Sequence, residues 1–316
     1  MRSRKSNKKK QGKRYFSNRN SENVFSGSFV AIVTPFKDGK IDKSSYKRLI
    51  KFHLENETDG LVPCGTTGES ATLTYDEHEM MIDLTIQEAK GKIPVIAGTG
   101  SNSTHETVKL TKYAQKAGAD AVLLICPYYN KPTQRGLYLH FKAVAEECSI
   151  PIVLYNIPSR TGINMVPETI AKLFRECSNI VAVKEASGSL DQMTQILKMT
   201  NNKICVLSGD DALTLPLLSI GGRGVISVVA NIVPLQTHKL VEYFLDGEIE
   251  LARQIHYYLY DLIKAMFIQT NPIPVKSALK LMGRIKSEEL RLPMCSMEKE
   301  KIDILKKVLK GYKLIR

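Results

Sequence analysis

Eight short, mostly β-branched apolar runs recur along the chain and constrain its fold more than any other feature. They are FVAIV (29–33), GLVPC (60–64), IPVIA (93–97), AVLLI (121–125), IPIVLY (150–155), IVAV (180–183), ICVL (204–207) and GVISVV (224–229). Their starts fall about 20 to 33 residues apart, which leaves room for a strand, a helix and two short loops per unit. Continuous apolar strands, rather than alternating ones, mark a parallel sheet covered on its faces. Between the runs, Thr74 with Glu77, Ser103 with Glu106 and Ser189 with Gln192 have capping-box spacing at helix starts. Eight evenly spaced units predict an α/β fold, a closed (β/α)8 TIM barrel, over an open doubly wound sheet, which usually has about five or six strands.

The pattern stops after the eighth run. Residues 232–316 contain the amphipathic stretches QTHKLVEYF, ELARQIHYYLYDLIKAMF and KEKIDILKKVLKGY, read as the last barrel helix plus a C-terminal helical extension on the barrel or on a partner subunit. The expected organisation is a basic head at 1–23, a barrel at 24–231 and the helical region at 232–316.

A chain of 316 residues with 43% hydrophobic and 24% charged side chains can bury a full core. No apolar run approaches the ~18 residues that a membrane span requires, so no membrane partner is expected. The six cysteines are widely spaced and form no CxxC pair, as for reduced thiols in a cytoplasm. The net charge of +13 is concentrated at the start: residues 1–23 carry nine Lys or Arg and one acid, which leaves +5 for the rest. That head lacks the apolar segment of a secretory signal and reads as a disordered, solvated tail, with organellar targeting and nucleic-acid contact as the weaker readings.

In such a barrel the reactive groups sit just after the strands, so the residues following each run are the informative ones. They are TPF, GTTGES, GTGSNST, PYYN, YNIPSRTG, KEASG, SGDD and SVVAN. Lys184 follows IVAV directly; among apolar walls its ammonium is disfavoured, and a neutral amine there attacks carbonyls. The competing reading is a strand-end lysine paired with Glu185. Tyr155 and Thr66 end other strands and, with Tyr129, offer a chain of hydroxyls for proton transfer. The alternative is that Tyr128, Tyr129 and Tyr155 are amphipathic core residues with satisfied hydroxyls. The GTTGE turn (65–69) offers consecutive N–H groups and two hydroxyls to a carboxylate. Arg160 is a candidate for a second carboxylate, or else a surface arginine.

Several motifs are incomplete. Gly98-Thr99-Gly100 is followed by Ser103 where a dinucleotide fingerprint needs glycine, and GxxxxGK[ST] does not occur, which argues against a nucleotide cofactor. The six histidines lack metal-ligand spacing, and Asp210 and Asp211, which could hold a cation, read rather as loop and helix caps. No metal and no cofactor are expected.

Taken together, GTTGESATL, VIAGTGSN, CPYYNKPTQ, LYNIPSRTG, VAVKEASG, LSGDD, GVISVVAN and NPIPVK resemble the dihydrodipicolinate synthase family, from about Ser26 to the C-terminal region. The resemblance implies condensation of pyruvate with L-aspartate 4-semialdehyde, the first committed step of the diaminopimelate route to lysine. It assigns the Schiff base to Lys184, acid/base work to Tyr155, the link to Thr66 and the far end of the relay to Tyr129, donated across a dimer interface. Thr66 and Thr67 would bind the pyruvate carboxylate and Arg160 that of the semialdehyde, with Gly209 and the Ile226 backbone near the lysine. It further implies a homotetramer, a dimer of dimers, and lysine inhibition at a site of Ser70, Ala71, Tyr75, His78, Asn102, Glu106 and Tyr128. Tyr75 stands where histidine is frequent, and Val229 where threonine is common. N-acetylneuraminate lyase and related keto-acid aldolases share the Lys184 and GTTGE features, and a catalytically silent barrel acting as a binding protein is the non-enzyme reading.

Overall fold

The computed structural model describes residues 25–316, so the basic head lies outside the described residues. Each apolar run becomes a strand: β1 (Gly27–Ala31), β2 (Gly60–Val62), β3 (Ile96–Gly98), β4 (Ala121–Ile125), β5 (Ile152–Asn156), β6 (Ile180–Glu185), β7 (Cys205–Ser208) and β8 (Gly224–Ser227). They pair in parallel in the order β2-β1-β8-β7-β6-β5-β4-β3. A single parallel bridge between Leu61 and Val95 joins β2 to β3 and closes the barrel. β2 and β3 are cut to three residues, β2 stopping before Pro63 and β3 starting after Pro94, since a proline has no N–H to give to a ladder.

Helices follow the strands in turn: α1 (Lys43–Glu55), α2 (Tyr75–Ala89), α3 (Thr104–Ala117), α4 (Gln134–Glu147), α5 (Pro167–Glu176), α6 (Leu190–Met199), α7 (Thr214–Ser219) and α8 (Pro234–Leu245). Thr74 and Glu77 form a full capping box on α2. Ser103 and Ser189 cap α3 and α6, but the Glu106 and Gln192 side chains turn to other partners, Ser101 for the first and Glu185 and Asn164 for the second.

Alternation along the strands splits the apolar residues into two sets. Phe25, Phe29, Val62, Ile96, Leu123, Val153, Tyr155, Ala182, Leu207 and Ile226 pack inside the barrel. Their neighbours in sequence, such as Leu124, Leu154, Val183 and Val206, pack outward against the helices.

The C-terminal extension comprises α9 (Ile249–Ala265), α10 (Ile273–Leu281) and α11 (Lys299–Gly311). The α9 helix packs on α8, and α11 packs on α9 and α10, so the extension lies on its own barrel. The α10 helix was hidden by the two prolines of NPIPVK. Pro272 precedes it and Pro274 occupies its first turn, where a missing N–H costs nothing. Among the described residues, no helix is long and apolar enough to cross a membrane.

Candidate active site

The strand period decides the orientation of Lys184. It shares the inward face of β6 with Ala182, whereas Glu185 faces the helix layer with Val183. The two neighbours therefore do not pair. Glu185 instead accepts hydrogen bonds from the Ser187 N–H at 2.7 Å, Gln192 Nε2 at 3.0 Å and Asn156 Nδ2 at 3.1 Å. Lys184 is only 6% exposed, and its Nζ lies 4.2 Å from the centre of the Tyr155 ring, next to it in register on β5. Burial lowers its pKa to about 7; the Asp211 carboxylate acts the other way, and the Arg160 guanidinium adds to the lowering.

The lysine's space is reserved by Gly209 at the end of β7. A Cβ there would lie 2.6 Å from Ala186 Cβ and 3.2 Å from Lys184 Cε. Tyr155 is buried and its hydroxyl is pushed up to about 12 by desolvation, against the opposing pull of the Arg160 charge and of a hydrogen bond with Thr66. Ile226, the third residue of β8, packs in the same barrel interior.

The GTTGE turn closes on itself. The N–H groups of Gly68 and Ser70 donate to Gly65 O, that of Glu69 donates to Thr66 O, and Thr34 Oγ1 donates to Gly68 O at 2.7 Å. Two of the N–H groups expected to face a ligand, those of Gly68 and Glu69, are thus consumed within the turn. Among the described residues those of Thr66 and Thr67 have no acceptor, and they remain as donors. Thr67 Oγ1 accepts from Asn271 Nδ2 at 2.9 Å. Arg160 rides on the helical turn Pro158–Thr161 after β5 and donates through Nη2 to the Asn271 carbonyl at 3.0 Å, which turns the guanidinium towards the mouth.

Thr66, Tyr155, Arg160 and Asn271 line one cavity of about 460 Å³ at the carboxyl ends of the strands. The tyrosine, threonine and arginine picked out in the sequence thus line one cavity; Lys184 is not part of that lining and adjoins it through Tyr155, whose ring centre its Nζ approaches to 4.2 Å. A sequence profile described as the dihydrodipicolinate synthetase family matches residues 24–312. The chain belongs to this family.

It is 53% identical, over 93% of its length and 100% of the relative's, to 4-hydroxy-tetrahydrodipicolinate synthase of Sulfurihydrogenibium sp.. It superposes with a TM-score of 0.89 on dihydrodipicolinate synthase from Acinetobacter baumannii complexed with pyruvate, at 42% identity over 92% of this chain and 99% of the other. The enzyme from Cyanidioschyzon merolae with lysine bound gives the same TM-score at 43% identity, with 92% and 99% covered.

Six of the seven residues that the family resemblance gave to a lysine site, namely Ser70, Ala71, Tyr75, His78, Glu106 and Tyr128, line the same cavity. Asn102 stands behind them, donating to the Tyr128 carbonyl at 3.3 Å. His78 is buried with Nε2 2.6 Å from Gly98 O, and burial lowers its pKa. Tyr129 does not join Tyr155 and Thr66 within one chain. It has left-handed backbone, is 89% exposed and is absent from the cavity lining. A hydroxyl chain drawn within a single subunit is therefore incomplete.

Two contributors escaped the sequence reading. Asp210 is a cap, accepting from the Ala212 N–H at 2.9 Å, but Asp211 is not only that: it is buried, takes the Val228 and Val229 N–H groups at 3.0 and 3.1 Å, and acts on Lys184. Asn271 joins Thr67 to Arg160 from 204 and 111 residues away. Neither spacing nor motif marks such a contact.

Proposed function

We propose that this chain condenses pyruvate with L-aspartate 4-semialdehyde to give 4-hydroxy-tetrahydrodipicolinate and water. The observation that carries the reading is a buried lysine with a pKa of about 7 beneath a tyrosine inside the barrel. The neutral Lys184 amine attacks the C2 carbonyl of pyruvate, and loss of water leaves an iminium. The protonated imine makes a C3 proton acidic, and its removal gives an enamine whose C3 attacks the aldehyde carbon. The amino group of the semialdehyde then attacks the imine carbon, closes the ring and releases Lys184.

Tyr155 exchanges the protons of these steps with Thr66. The N–H groups of Thr66 and Thr67 suit the pyruvate carboxylate, and the Arg160 guanidinium suits that of the semialdehyde. Gly209 leaves room for the adduct, and Ile226 contributes a wall and backbone beside it. The exposed Tyr129 supports donation of its hydroxyl to a second subunit, in a dimer of dimers. The lysine-bound relative supports feedback inhibition, with the lysine held by the residues that the resemblance gave to that site. All six cysteines are free, which supports a reducing compartment, the cytoplasm.

Borohydride added with pyruvate should fix a pyruvate-derived mass on Lys184, and the untreated enzyme should consume pyruvate only when aspartate semialdehyde is present. Consumption with N-acetylmannosamine in its place would move the assignment to N-acetylneuraminate lyase. Absence of any adduct would make this a silent barrel.

A further inference from the structure

Lys276 and Glu69 form an ion pair that the chemistry above does not use. The Lys276 ammonium, 0% exposed on α10, donates to Glu69 Oε1 at 2.6 Å, and its Nζ lies 4.4 Å from the centre of the Phe36 ring. Glu69 closes the GTTGE turn in left-handed backbone, with φ 54°. Its second oxygen accepts from the Arg291 N–H at 3.2 Å. The Arg291 guanidinium then spans to Glu77 on α2 at 2.5 and 2.6 Å and to the Thr72 carbonyl at 2.9 Å. Asn271, at the near end of the same C-terminal segment, holds Thr67 and Arg160.

Residues 271–291 thus hold the substrate-binding turn at two of its residues, Thr67 and Glu69. Asn271 anchors Thr67 itself, and Lys276 anchors Glu69 two residues further along the turn. A fully buried ion pair is a poor device for stability alone, since an apolar pair of similar volume does as well or better, whereas its directionality fixes geometry. A carboxylate on a left-handed residue, tied at one oxygen to an ammonium and at the other to a backbone N–H, has little freedom to rotate. The turn it ends inherits that rigidity.

We infer that Lys276 and Glu69, together with Asn271, are positioning residues that set the Thr66–Thr67 donors and Arg160 for the substrate carboxylates, so that recognition is imposed by the C-terminal extension rather than by the barrel alone. The inference rests on the condensation proposed above.

The test is the pyruvate dependence of borohydride trapping and of turnover in the double variant E69Q/K276M, which leaves no orphaned charge, and in N271A. Half-saturation by pyruvate should weaken about tenfold or more in both, while the adduct at saturating pyruvate still reaches Lys184 and kcat falls far less. The melting temperature is followed alongside. Folded variants with wild-type half-saturation would overturn the inference, whatever their melting temperatures, because the pair would then only hold the extension in place. Should the double variant fail to fold, N271A decides by the same criterion. Wild-type enzyme that forms no pyruvate adduct overturns the condensation first and this inference with it.

Discussion

The pH dependence of adduct formation follows directly from the burial of Lys184. At about pH 7, an amine with a pKa of about 7 is about half neutral, against roughly 0.03% for one at 10.5, a gain of about three orders of magnitude in reactive amine. With pyruvate below saturation, the rate of borohydride-trapped adduct, read as intact mass over time, should rise about tenfold from pH ~5 to ~6. It should bend near pH 7 and be flat above about 8. Two substitutions move the bend in opposite directions. Asp211→Asn removes an anion that favours the ammonium, so the bend falls to lower pH; Arg160→Met removes a cation that disfavours it, so the bend rises. A rate that keeps climbing tenfold per unit through about pH 9 would show an ordinary lysine and refute the reasoning.

Stability should carry the opposite mark of the same burial. Folding lowers the Lys184 pKa from 10.5 to about 7, so wild type bears the full cost below about 7, loses it as pH rises, and bears none above about 10.5. Lys184→Met should therefore melt above wild type at neutral pH, with a gap on the order of 4 kcal/mol that narrows towards pH ~10, as melting curves across that range would record. Gly209→Ala forces a methyl to 2.6 Å from Ala186 Cβ and 3.2 Å from Lys184 Cε, and should cost about 1–3 kcal/mol in denaturant unfolding while slowing adduct formation. An unchanged adduct rate would mean that the lysine chain has room to spare.

Legibility in the sequence followed the range of the interactions. Each barrel strand announced itself through its own apolar residues and the rhythm of its neighbours, so the order and the parallel closure could be reasoned out before any coordinate. Lys184, Tyr155, Thr66 and Arg160 could be picked out because each lies beside a strand end, a local property. Lys184 against Glu185 could not be decided locally until strand parity put one inside and the other outside. The Lys276–Glu69 contact joins residues 207 apart and was invisible for that reason. Asp211 was misjudged because a local task, capping, seemed enough for an Asp-Asp pair. The α10 helix was missed because its prolines resemble a turn when read without the helix that follows. Residue type suggested Tyr129 for the hydroxyl chain and the family resemblance gave it to a neighbouring subunit; its 89% exposure leaves the chain incomplete within one subunit.

Strand parity on β6 also restricts how this protein can change over time. Loops around the mouth can lengthen or shrink by any number of residues and still deliver their side chains. Deletion of one residue within 180–183 would set Glu185 in the register position of Lys184, facing the barrel interior, and move the amine to that of Val183, in the apolar layer beneath the helices. One event would abolish the nucleophile and strand a cation among hydrocarbon, with no half-functional intermediate between the two registers. The register of β6 therefore ties the lysine strand to a constant length.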